Sequence, residues 1–191
     1  NIFHIYATVT VLIAILVSVL GTDLIKHIAT KEYVYGAMAL PFLLFGHLIY
    51  QSRVFTSIGI GLKEKTKHFV WLLSVTAGVN ILLNFYFIPR YSFVGAAFTT
   101  LLSSLVYFTL ASFVGKKLLD INLNFVKMML FWFLGFAIAV AFPFIELQEG
   151  RYIPFYIKFI VIGVCSILPF MLGIIKISYV KKVLLNFIQE R

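Results

Sequence analysis

Apolar runs near or above the roughly 18 residues that carry a helix across a bilayer recur along the whole of this chain, which leaves a soluble fold without enough polar residues to clothe its surface. Six such runs can be counted, at residues 2–20, 33–62, 69–88, 93–114, 125–145 and 152–175, with short polar connectors between them. Hydrophobic residues make up 62% of the chain and charged residues 12%, against roughly 45–50% and about 25% in ordinary globular domains. In lipid the backbone has no water to bond, so each run must satisfy its own N–H and C=O groups as a helix. The expected fold class is therefore all-α, a polytopic membrane helical bundle of about six transmembrane helices.

The first run is closed by Gly21, and the connector TDLIKHIATKE follows it. The second run is long: at ~1.5 Å per residue, 30 residues reach about 45 Å against a hydrocarbon core of ~30 Å. Pro41 is expected to kink it, and Gly59 and Gly61 to loosen its end. The third and fourth runs are separated only by the turn around Pro89, Arg90, Tyr91 and Ser92, a tight reversal. Pro143 lies near the end of the fifth run, and Pro154 and Pro169 lie in the sixth. After residue 175, Ile177, Val180, Val183, Leu184 and Phe187 fall at helical spacing with lysines among them, the pattern of an amphipathic helix lying on a membrane surface. The chain starts at Asn1 inside an apolar run, with no basic stretch or small-residue cleavage site before it, unlike a signal peptide. It is expected to be a fragment of a longer protein.

The formal net charge of +9 invites a nucleic-acid reading, but its distribution argues against one. Alternate connectors belong to opposite membrane sides. One side, with Arg53, the 63–68 loop, Lys116, Lys117, Lys127 and the tail, holds eleven basic residues against three acidic; the other holds five against four. Basic excess in short loops is the positive-inside signature, so these loops and the C-terminus are expected on the cytoplasmic side of a cell membrane, and no nucleic-acid partner is expected.

Polar residues inside the apolar runs are the candidates for function, because an amide or guanidinium in lipid must find a partner. Asn80 and Asn84 are one helical turn apart on one face, as interhelical glue or as the lining of a polar cavity. Gly95, Thr99 and Ser103 repeat every four residues in the next run, a small-residue seam that lets the second or third run approach closely. His47 and Gln51 share a face of the second run, with Arg53 about 120° from His47. Arg53 is expected either to snorkel to the interface or to meet an anionic substrate, since every acid in the chain lies near a helix end or in a connector. Lys158 is expected to snorkel outward. The four histidines and single cysteine make no metal-ligand pattern, and no Gly-rich phosphate loop or nucleophile elbow is present, so neither metal, cofactor nor enzymatic activity is expected.

From Ser57 to Leu118 the order is an SIGIG helix end, the basic KEKTK loop, N-x3-N in the following helix, then IPRYSFVGAAFTT leading into the small-residue helix. This resembles the polysaccharide exporters of the multidrug/oligosaccharidyl-lipid/polysaccharide superfamily, the O-antigen flippases that move undecaprenyl-linked repeat units for surface lipopolysaccharide. The match covers about a third of the chain, and Ser92 stands where that family usually has glycine. The resemblance implies the C-terminal half of a two-lobe, MATE-like transporter working by alternating access, with an N-terminal lobe, membrane lipid and a lipid-linked oligosaccharide as partners. It also implies a substrate cavity, for which Arg53, Gln51, His47, Asn80 and Asn84 are the candidates. The alternatives are a multidrug or peptidoglycan-precursor exporter of the same superfamily, and, in a different class, a membrane-embedded polysaccharide polymerase or glycosyltransferase. A purely structural membrane subunit is a further class.

Overall fold

The computed structural model describes residues 2–118, 125–148, 153–171 and 173–174, and among them the chain is helical with no strand. Helix α1 spans Ile2–Ile28. A 3₁₀ segment, Lys31–Ala39, leads into α2, Leu40–Gln51, and two short helices follow, α3 at Arg53–Thr56 and α4 at Ile58–Leu62. Helix α5 takes Lys67–Leu118, α6 Phe125–Gln148 and α7 Phe155–Met171. Four helical stretches are long and apolar enough to cross a membrane, and α7 is a shorter apolar helix. Large apolar side chains such as Leu82, Phe85, Phe113 and Phe133 stand exposed on the outside of the bundle. In water such a surface is a liability, whereas against acyl chains it needs no cover.

The hydrogen-bonded run of α5 is not one rod. Asn80 Nδ2 donates to Ser103 Oγ at 3.0 Å although 23 residues separate them, a span of about 35 Å in a straight helix. The chain reverses at Ser92, whose φ of 51° and ψ of −131° are non-helical, the geometry of the first central residue of a type II′ turn and one that favours glycine. Two arms result, and the expected reversal is located at one residue.

Packing falls into two halves. α2, α3 and α4 lie along α5, while α1 packs on α6 and more lightly on α7; α1 and the 3₁₀ segment join the halves by touching α2. The larger apolar core is built from the α1 stripe Phe3, Ala7, Val11, Ala14 and Ile15 meeting Phe45 of α2 and Phe131 and Trp132 of α6. A smaller cluster, Ile60, Leu72, Tyr107 and Ala111, joins α4 to both arms of α5.

Two expected boundaries move. Helix α1 does not stop at Gly21 but runs on to Ile28. Its buried stripe continues through Ser18, Val19, Thr22 and Asp23, and a side chain at Gly21 would overlap Leu40, so this glycine admits a neighbour rather than ending a helix. The 33–62 run is not a single helix kinked at Pro41. Pro41 lies in the first turn of α2, where its missing N–H has no helical partner to lose, and the breaks come later, at Ser52 and Ser57. The amphipathic tail expected after residue 175 lies outside the described residues, as do the 119–124 connector and the acidic turn at 149–152.

Candidate functional site

The two arms of α5 are tied by a ladder of amides and hydroxyls. Asn84 Nδ2 donates to Asn80 Oδ1 at 2.9 Å, and the Thr99 hydroxyl donates to Asn84 Oδ1 at 2.5 Å. Asn80 Nδ2 reaches Ser103 Oγ, which in turn donates to the Thr99 carbonyl at 2.6 Å. Spacing explains the assembly: residues four apart share a face in each arm, so one hairpin places both pairs opposite each other. Gly95, Thr99 and Ser103 are all buried. On the other side of the second arm α2 comes close, and a side chain at Gly46 would lie 3.1 Å from Leu101 Cα.

Between α2 and α5 lies a cavity of about 560 Å³ lined by His47, Tyr50, Asn80, Thr100, Ser103 and Ser104, with Leu43 and Leu44 on its wall. It brings together two of the five sequence-selected candidates, His47 and Asn80. Asn84 is absent from its lining and is taken up by the ladder. Gln51 lines neither this cavity nor the next. Arg53 lies in a second, smaller cavity of about 240 Å³ with Ser57, Tyr107 and apolar walls. The reason is the break at Ser52: its hydroxyl donates back to the Leu48 carbonyl at 2.9 Å, α2 ends, and Arg53 opens a new turn. Tyr50 connects the two spaces. It lines the larger one, receives a hydrogen bond from Arg53 Nη1 at 2.7 Å, and carries the guanidinium carbon 4.3 Å from its ring centroid.

A third polar centre was not expected. Lys158 is fully buried, and its Nζ lies 2.6 Å from Asp23 Oδ2 and 2.5 Å from Glu146 Oε1. The expectation that Lys158 snorkels outward is therefore corrected; Asp23 and Glu146 lie near helix ends, as expected, but meet this lysine inside the bundle. Both belong to the buried faces of apolar helices, Asp23 in α1 and Glu146 in α6. An ammonium between two carboxylates offsets desolvation that none of the three withstands alone. Each partner prolongs an apolar stripe: Glu146 follows Ala139, Phe142 and Pro143, and Lys158 precedes Cys165 and Pro169, all buried. That phase was legible in the sequence. Ionic residues in phase with a core stripe, two at helix C-terminal ends and one at the start of the next helix, were the available signal.

Among the described residues no group of three His, Cys, Asp or Glu side chains gathers to hold a metal ion. No protein-family model, curated protein or solved structure matches the chain.

Proposed function

We propose that this chain is the C-terminal lobe of a membrane transporter that flips lipid-linked oligosaccharide units across the cytoplasmic membrane by alternating access, for surface polysaccharide biosynthesis. In this reading the two arms of α5 count as separate spans and 33–62 as one, which with α1, α6 and the shorter α7 gives six, and the basic loops and the C-terminus are cytoplasmic. The MATE-like arrangement is part of the proposal, as is an N-terminal lobe that completes the translocation path.

The observation that carries the reading is the cavity at the α2–α5 seam. Its polar groups, His47, Asn80, Thr100, Ser103 and Ser104, are hydrogen-bonding groups suited to sugar hydroxyls, and its leucine wall suits a polyprenyl chain. Small-molecule sites join apolar walls to a few placed polar groups in this way. The resemblance across residues 57–118 points to the same substrate class.

Deletion of the gene is expected to abolish surface polysaccharide, and the full reading frame to restore it. A bulky Ser104→Trp replacement is expected to fail to restore it at equal membrane abundance, because the indole fills the cavity. Intact polysaccharide with altered drug or cation efflux would assign the protein to the multidrug branch instead.

A further inference from the structure

The smaller cavity holds an unused set of donors. Ser57 Oγ and Tyr107 Oη are buried and make no hydrogen bond among the described residues, and both residues line the same cavity as Arg53. Tyr107 is 0% and Ser57 6% exposed. A buried hydroxyl left without a partner is destabilising and, in a native structure, calls for a ligand or another explanation. Here both residues line a cavity that Arg53 also lines. Among the described residues Arg53 donates one side-chain hydrogen bond, from Nη1 to Tyr50, while a guanidinium offers five N–H donors in a fork that matches oxyanion geometry. The guanidinium carbon also lies 4.3 Å from the Tyr50 ring centroid, a cation–π contact that holds the group at this ring.

The remaining walls narrow the ligand. Val54, Ile58 and Phe69 are apolar, which suits the carbon side of an ester and disfavours a fully hydrated inorganic ion. Three donors from separate elements, α3, the α3–α4 junction and the second arm of α5, suit a tetrahedral oxyanion better than a planar carboxylate. Phe69 lies in the first turn of α5, and Lys67 of that turn and Lys63 and Lys65 just before it are exposed. Exposed cations within six residues of a cavity-lining side chain attract anionic headgroups to this part of the chain. We infer that Arg53, Ser57 and Tyr107 form a binding site for the phosphate ester of an anionic membrane lipid. The site is separate from the sugar-facing cavity and does not rest on the transport reading, since its occupancy is measured without transport.

The test uses the full-length protein in detergent micelles, titrated with dioleoyl phosphatidylglycerol and, in parallel, with inorganic phosphate and with oleate. Binding is followed by native mass spectrometry and by the thermal midpoint. Saturable binding of phosphatidylglycerol is expected, with Arg53→Gln abolishing it and Tyr107→Phe and Ser57→Ala each weakening it about tenfold. Tyr107→Phe removes a hydroxyl that bonds nothing among the described residues, so its lipid-free midpoint is expected to be at least that of the parent. Unchanged phosphatidylglycerol affinity in folded Tyr107→Phe and Ser57→Ala would overturn the site. Equal affinity for oleate would overturn the phosphate assignment, and equal affinity for inorganic phosphate would overturn the lipid.

Discussion

The ladder within α5 and the ion cluster of α1, α6 and α7 answer the same problem, polar side chains in an apolar bundle, on different scales. The ladder joins residues of one hairpin with neutral groups, Asn80, Asn84, Thr99 and Ser103, each of which keeps partial satisfaction from its own helix; Ser103 and Thr99 bond backbone carbonyls as well. The cluster joins Asp23 to Lys158 across 135 residues with full charges that have no comparable local alternative. Neutral ladders therefore tolerate erosion one rung at a time, whereas an ion cluster stands or falls as a unit.

The largest effect is expected at Lys158. Lys158→Met leaves Asp23 and Glu146 buried without their cation, and a loss of about 3–5 kcal/mol is expected, measured by denaturant titration of the micelle-bound protein. Combining it with Asp23→Asn and Glu146→Gln removes all three charges and is expected to recover most of that loss, since replacing a whole buried ion cluster is far milder than breaking it. A triple variant as unstable as Lys158→Met alone would mean that packing, not charge pairing, sets the effect.

A smaller change is expected in the ladder. Asn84→Ala frees Asn80 Oδ1 and the Thr99 hydroxyl, and interhelical hydrogen bonds of this kind contribute about 1 kcal/mol in membranes. If the same titration shows a loss as large as that of Lys158→Met, the distinction between neutral and ionic pairing fails.

The smallest effect, and of opposite sign, is expected at the hinge that brings the ladder's rails together. Ser92→Gly relieves a positive-φ residue and is expected to stabilise by about 1 kcal/mol, the strain relieved being partly offset by the extra freedom of glycine in the unfolded chain. A lower thermal midpoint would show that Ser92 makes a contact that matters more than its backbone geometry.

The ladder was legible in the sequence because its members sit at i and i+4 on two runs joined by a tight turn, so that local periodicity and one reversal dictate the meeting. His47 and Asn80 were legible as candidates for the same reason: each is a polar residue in an apolar run. Their convergence on one cavity was not, because the approach of α2 to the second arm of α5 depends on Gly46 against Leu101, a contact without a sequence period. Ser57 did not stand out because a serine or threonine hydroxyl in a helix ordinarily bonds its own backbone, as those of Thr76 and Ser104 do, and Tyr107 did not because an aromatic in an apolar run reads as packing. Their orphaned state is visible only in three dimensions.

By itself the sequence determined the helical class, the membrane composition, the reversal near Pro89 to Ser92 and the shared faces of Asn80 with Asn84 and of Gly95 with Thr99 and Ser103, all consequences of hydrophobic spacing and of the need to close backbone hydrogen bonds within each run. Only the tertiary structure decided which side chains meet across distant helices: that Lys158 turns inward to Asp23 and Glu146, and that Arg53 shares a cavity with two unbonded hydroxyls. The physical reason is range. Periodicity specifies which face of a helix is buried, but the pairing of one face with another is set by the packing of the whole bundle, and the charge of a lysine near a helix end does not reveal whether water or a carboxylate will receive it.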